Sequence, residues 1–297
     1  MELVKSKAEI WKQPDGLYGI YKQIEKVGRT CYQSTPKSDS AIPFVRMLEK
    51  NRHGKALEAG TVYLKVDKIQ SPVKFSELKT FYTSNKYSKV FCFNDIDLFV
   101  STNYRVVVEN DRLADLNFLC EPDSSWPKDM LRVCIHFTCD RGVSAEANRH
   151  TVNSAMESST RYINYSKGKF GNQISVIVPD DIDMSQTDLP NHDMSTIFRE
   201  LANTNGSQLS IPDWWWISNK VSEMAYMNLL KLGWKPEQAR RVLPLDLHTE
   251  LTHTAFVEDW KHFFDLRCDK AAHPDMRKVA EQAKELMIKE GYIDNND

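Results

Sequence analysis

Two periods of apolar residues alternate along this chain. Leu17, Ile20, Ile24 and Val27 stand at helical spacing and predict a first helix over residues 16–27. From Thr61 to Ile69, Val62, Leu64 and Val66 alternate with polar neighbours, the period of a half-buried strand. Leu131 to Cys139 alternates Val133, Ile135 and Phe137 with Cys134, His136 and Thr138, a second strand. Asn172 to Val178 gives a third, ended by Pro179 and a run of acidic residues. The stretch 73–119 is mixed, with a short helix expected from Tyr104 to Asn110. Beyond it the pattern is mainly helical: about 219–232, a turn at Gly233 to Pro236, then helices near 236–241, 247–268 and 274–290. Asp180 to Asn205 carries neither period and reads as a mobile loop. Strands come first and helices later, which predicts an α+β fold with a mainly helical C-terminal half. No repeat or linker interrupts it, so one domain over 1–297 is expected.

The strand 131–139 leads into the most chemically loaded stretch, Arg149 to Tyr165. Read as about four helical turns, it places Glu146, Arg149, Asn153, Glu157 and Arg161 three or four residues apart, on one polar stripe. Such a stripe suits an anionic, hydrogen-bond-rich ligand, because guanidinium groups fork onto phosphate or carbonyl oxygens. A solvated face with Glu157 and Arg161 as an i,i+4 pair has the same spacing.

Composition narrows the classes. With 41% hydrophobic and 27% charged residues, the chain sits among globular proteins. No apolar run approaches the roughly 18 residues of a membrane span, and Met-Glu-Leu-Val-Lys-Ser-Lys lacks a signal peptide's apolar core. A net charge of −2 argues against a surface that coats nucleic acid. Six cysteines without Cys-x-x-Cys spacing read as reduced thiols, so no metal site and a cytoplasmic location are expected. Trp214-Trp215-Trp216 is expected to pack a core or a subunit interface rather than to stack on a planar ring.

The signature stretch resembles that of flavin-dependent thymidylate synthases, Arg-His-Arg followed by a spaced Glu-x-Ser-x-Arg-Tyr. Arg149, His150, Glu157, Ser159, Arg161 and Tyr162 match, after a similar lead-in at Asp140-Arg141-Gly142-Val143 with Glu146. Gln238-Ala239-Arg240-Arg241-Val242-Leu243-Pro244 is similar to the family's Ala-Arg-x-Val-Leu-Pro segment, and Phe263-Phe264-Asp265-Leu266-Arg267 to its Phe-x-x-Leu-Arg helix. Gly28-Arg29-Thr30-Cys31-Tyr32 resembles an earlier segment, so the likeness runs from about 28 to 280. It implies a central antiparallel sheet flanked by helices and reductive methylation of 2′-deoxyuridine 5′-monophosphate (dUMP) at C5. The methylene donor would be 5,10-methylenetetrahydrofolate, the hydride would come from reduced FAD, and NADPH would re-reduce the flavin. Glu146, Arg149, Glu157, Ser158, Ser159, Arg161 and Arg240 are the implied dUMP residues, with Arg240 at the phosphate. Arg267 is the implied catalytic residue, stabilising a uracil deprotonated at N3, a task suited to an always-charged donor. Thr61, Arg149, His150, Thr151 and His262 are the implied FAD residues, in a homotetramer that shares its sites between subunits.

The departures from the pattern gather on the flavin. Thr151 stands where a basic residue is usual, Ala59 where a flavin-facing His is usual, and Phe256 and Glu258 where Asn and Arg are common. Each lost contact would weaken flavin binding by about 1–3 kcal/mol. Two alternatives therefore stay open: other C5 chemistry such as hydroxymethylation, and a non-catalytic homologue that binds nucleotide.

Overall fold

The fold is built around strands that bury both faces. In the computed structural model residues 1–295 are described; Asn296 and Asp297, the end of the domain expected over 1–297, lie outside the described residues. In chain order the elements are β1 (Glu2–Val4), β2 (Lys7–Ile10), α1 (Gly16–Thr30), α2 (Ala41–Lys50), α3 (Gly54–Leu57), β3 (Thr61–Asp67) and α4 (Pro72–Ser84). There follow β4 (Lys89–Phe93), β5 (Asp97–Asn103), α5 (Tyr104–Glu109), β6 (Arg132–Cys139), α6 (Arg141–Ala147), β7 (Ser154–Glu157) and β8 (Ser175–Ile177). The chain ends with α7 (Met194–Thr204), α8 (Ile211–Lys231), α9 (Pro236–Ala239), β9 (Thr249–Phe256), α10 (Val257–Arg267) and α11 (Pro274–Lys289). The class is α+β, as the order of strands and helices predicts, with the antiparallel sheets that the resemblance implies.

Two compact units emerge. The larger takes Lys7–Phe137, Glu146–Ser158 and the chain from Glu250 onward. Its three-stranded antiparallel sheet has the order β3-β5-β4, and its four-stranded sheet the order β2-β6-β9-β7. In the first, Val62, Leu64 and Val66 face Thr102, Val100 and Leu98 across the β3–β5 register. These apolar partners join α1's Ile20 and Ile24 in one buried cluster. The opposite face is buried as well, where Tyr63 and Phe99 pack with Trp126 and Met130. The smaller unit takes Met1–Ser6, Thr138–Ala145 and Ser159–Thr249. There β1 and β8 pair in parallel, and Ile174, Val176, Tyr226 and Leu247 form the core.

Helix α1 follows its predicted pattern and runs to Thr30, and α5, β3, β6 and α11 also lie where the periods put them. Four expectations are corrected. Arg149 to Tyr165 is not a helix: α6 ends at Ala147, a turn follows, and Ser154–Glu157 forms β7, paired antiparallel with β9. The polar stripe therefore does not exist as a helix face; pairing with a neighbouring strand overrode the local spacing. Residues 247–268 are not one helix, because Thr249–Phe256 is strand β9 and only Val257–Arg267 is α10. Three threonines in eight residues favour a strand there, since β-branched side chains fit the pleated surface. Helix α8 begins eight residues before the expected 219, at a Ser210–Asp213 capping box with Pro212 in its first turn. Trp214-Trp215-Trp216 thus opens a helix: Trp216 is buried and Trp215 donates from Nε1 to Asp246 at 2.8 Å. The stretch 180–205, expected as a loop, contains α7.

The larger unit leans on Trp260, which is fully buried and donates from its indole to the Val133 carbonyl at 3.0 Å. Trp260→Ala is expected to destabilise it by about 3–5 kcal/mol, read from the urea unfolding midpoint.

Candidate active site

The signature stretch is held from α10. Arg267, in the last turn of that helix, is largely buried and forks in three directions. Its Nε donates to His150 Nε2 at 2.9 Å, Nη1 to the Glu146 carboxylate at 3.2 Å, and Nη2 to the Glu146 carbonyl at 3.0 Å. An imidazole accepts such a bond only when neutral. Burial first, then the charges of Arg267, His262 and Arg149, pull the His150 pKa down to about 4, which keeps it neutral at physiological pH. The ring also leans on Phe263, with centroids 4.7 Å apart.

A second neutral imidazole lies beneath the turn. His253 on β9 is fully buried, and burial brings its pKa down to about 3. Asn153 meets its Nδ1 at 3.2 Å and Asn148 Oδ1 its Nε2 at 3.3 Å, while the Asn148 amide donates to Glu157 at 3.2 Å. With the ring neutral, Nδ1 accepts and Nε2 donates, so Glu157, Asn148, His253 and Asn153 form one relay. Ser158 is buried and donates to the Thr30 carbonyl at 3.1 Å. Arg149 and His262 are exposed, the latter with its ring 6.2 Å from His150.

In the smaller unit, Arg240 follows α9 and donates to Thr160 Oγ1 at 3.2 Å. That threonine sits between two residues expected from sequence: Ser159, whose hydroxyl accepts from the Arg161 amide at 3.3 Å, and Arg161 itself, exposed beside Tyr162. Arg240 is also exposed. The structure therefore gathers Ser159, Arg161 and Arg240 into one cationic, hydroxyl-rich patch and adds Thr160.

The expected flavin residues separate. Thr61 is buried on β3, with its hydroxyl accepting from Arg132 Nη1 at 3.3 Å, and it lines a cavity of about 190 Å³ together with Ala59. Ala59 packs with Val27 and Cys134. Thr151 instead lines a different cleft of about 490 Å³, with Lys86, Tyr87, Lys89, Arg132 and Phe256. Arg132 borders both. Its guanidinium bonds to Thr61, to the Thr102 carbonyl at 3.4 Å and to the Glu58 carbonyl at 3.0 Å, and burial lowers its pKa. Sequence reasoning missed Arg132, although a cation opening a strand of alternating apolar residues was the available signal. It also missed His253, hidden by the misread helix. Among the described residues no His, Cys, Asp and Glu group is arranged to hold a metal, and no helix is long and apolar enough to cross a membrane.

These features define an α+β protein in which Arg267 is fixed by imidazole and carboxylate partners and Arg240 by a hydroxyl. Residues 103–290 match the thymidylate synthase complementing protein family, and the chain belongs to it. It is 28% identical over 185 residues to a flavin-dependent thymidylate synthase of Synechocystis sp., covering 61% of this chain and 78% of the relative. It is 28% identical over 101 residues to a probable flavin-dependent thymidylate synthase of Paramecium bursaria Chlorella virus 1, covering 31% of this chain and 47% of that protein. Two solved structures of the UMP/dUMP methylase PolB from Streptomyces cacaoi, bound with 5-Br dUMP and 5-Br UMP, align over 97% of this chain. They share 16% and 15% identity, with TM-scores of 0.40 and 0.41 over 93% and 92% of their own chains.

Both imidazoles are neutral in the fold but protonate readily when unfolded, near pH 6.5. Between about 4 and 6.5 the unfolded chain therefore binds more protons, so this stability is complete above 6.5 and drains away as pH falls. The free energy of unfolding, measured by urea titration, is expected to drop by about a few kcal/mol from pH 7 to 4.5. Replacing Arg267 by Gln removes a neighbouring charge, so the His150 pKa should rise from about 4 towards its ordinary value in an NMR titration.

Proposed function

We propose that this protein is a flavin-dependent thymidylate synthase that methylates dUMP at C5 to give dTMP, with 5,10-methylenetetrahydrofolate as one-carbon donor and FAD and NADPH as cofactors. The observation that carries this reading is the Arg267 fork. A guanidinium held on three sides by His150 and Glu146 is aimed before substrate arrives and stays charged throughout. In the proposed role it stabilises the negative charge on a uracil that has lost its N3 proton. It does not supply that proton itself.

Arg240, with Thr160, Ser159 and Arg161 around it, takes the nucleotide phosphate in this reading. Glu146 and Glu157 position the nucleotide through polar contacts, with Arg149 beside them. Ser158, whose hydroxyl donates to the Thr30 carbonyl, anchors the end of β7, the strand that carries Glu157. A homotetramer with shared sites belongs to the same proposal.

The residues also suit a dinucleotide cofactor. FAD is an anion with planar rings, and the Thr151 cleft offers cations and two aromatic side chains, Tyr87 and Phe256. Thr151, Arg149 and His262 would hold it from the signature side, and Thr61 would act through Arg132. When bound, the reduced flavin supplies the hydride and NADPH restores it.

The test is a titration of purified protein with FAD, followed by dTMP assay by mass spectrometry. Saturable binding and dTMP are expected; no FAD binding, or a hydroxymethylated product, would refute the reading. Arg267→Lys is expected to lower kcat by about 100-fold or more while dUMP still binds. Arg240→Ala should raise the dUMP Kd by roughly 10–100-fold, the worth of a charged hydrogen bond.

A further inference from the structure

We propose that Asn148 and His253 are positioning residues that aim the Glu157 carboxylate at the nucleotide through a chain of hydrogen bonds. That Glu157 meets a nucleotide rests on the function proposed above; that it is held rests on the geometry. Neither Asn148 nor His253 is among the residues that carry the resemblance, so the assignment comes from the folded chain.

The register of β7 on β9 sets the arrangement. Ala155 stands opposite His253, and Glu157 opposite Leu251. Opposite residues of an antiparallel pair point to one face, and every second residue of a strand returns to it. Glu157 and His253 are therefore diagonal neighbours on one face of the sheet. Ala155 has no side-chain polar atom for the ring between them. Asn148, from the turn after α6, spans the diagonal instead. Its Nδ2 donates to Glu157 Oε2 at 3.2 Å, and its Oδ1 accepts from His253 Nε2 at 3.3 Å.

Each bond leaves the next group one choice. A carboxylate only accepts, so the Asn148 amide turns its NH2 to Glu157 and its carbonyl to the ring. A carbonyl also only accepts, so the neutral ring carries its proton on Nε2 and presents a bare Nδ1. Asn153, itself buried, donates to that nitrogen at 3.2 Å. The ring cannot tip away. It is fully buried, edge-on to Phe137 with centroids 6.4 Å apart, and Trp260 lies beside it at 6.4 Å. Glu157 is thus tied to the core through a half-buried amide. A carboxylate held in this way has already lost rotamer freedom that a loose glutamate would lose on meeting its ligand.

The experiment joins nitrogen NMR of the histidine-labelled full chain to calorimetric titration with dUMP and steady-state kinetics. His253, assigned by its absence in His253→Gln, should be protonated at Nε2 alone in the wild type and should show both tautomers in Asn148→Leu. Asn148→Leu should weaken dUMP binding about ten-fold and raise the dUMP KM by a similar factor, with a smaller effect on kcat. His253→Leu should also weaken binding, whereas His253→Gln, which keeps a donor and an acceptor, should restore most of it. In a Glu157→Ala background, Asn148→Leu should cost no further affinity, because Asn148 acts through Glu157. Equal weakening by Asn148→Leu with and without Glu157, or a wild-type ring protonated at Nδ1, would overturn the proposal. A wild type that fails to bind dUMP, with His253 protonated at Nε2, would instead remove the nucleotide reading and leave the held carboxylate standing.

Discussion

The arrangement of the larger unit's signature turn depends on one constraint: His150 must stay neutral beside Arg267. A protonated imidazole would have no lone pair for the guanidinium and would place two cations at hydrogen-bond distance. Burial against Phe263 prevents this, and the Arg267 charge reinforces it. The same bond therefore positions the arginine and keeps its partner uncharged. Glu146 balances the charge from the other side, and its carbonyl ties the guanidinium to the end of α6.

The second imidazole extends that logic into the sheet. His253 can serve Asn153 and Asn148 at once only as a neutral ring with one donor and one acceptor nitrogen. The turn carrying Arg149 and Thr151 is thus held by two neutral imidazoles, one bonded to Arg267 and the other to Asn148 and Asn153. Arg149 itself stays exposed, with its charge at the surface.

What the sequence made legible follows from where the information is local. Val62, Leu64 and Val66 on β3, and Ile20, Ile24 and Val27 on α1, face inward as their spacing predicts, because burial on one side of a regular element is written in its period. The signature helix was misread because Arg149 to Tyr165 has helical spacing, whereas its conformation is set by pairing with β9, far along the chain. That partner was misread in turn, since its threonines gave way to the strong helical pattern of α10 that follows. Motif residues survived both errors. Ser159, Arg161 and Arg240 meet in one patch, and Glu146, His150 and Arg267 in one fork, although neither grouping rests on a shared helix face. Arg132 and the Lys86 turn carry no motif, so only the folded chain reveals them.

The departures from the resemblance acquire a physical sense once placed. Glu258, where a cation is common, pairs with Lys89 of β4, and Phe256, where an amide is common, lies under Lys89 and Arg132. Glu258 and Lys89 thus neutralise each other, and Arg132 of β6 is the buried cation left beside them. A carboxylate at 258 would repel an anion if it stood alone; paired with Lys89, it becomes the brace that holds the lysine at the cleft. Thr151 fits the same exchange, since a cation at the tip of the turn would add to Arg132 and Lys86, which already face that space. Arg132 and Lys86 therefore stand in that cleft beside a neutralised Lys89–Glu258 pair.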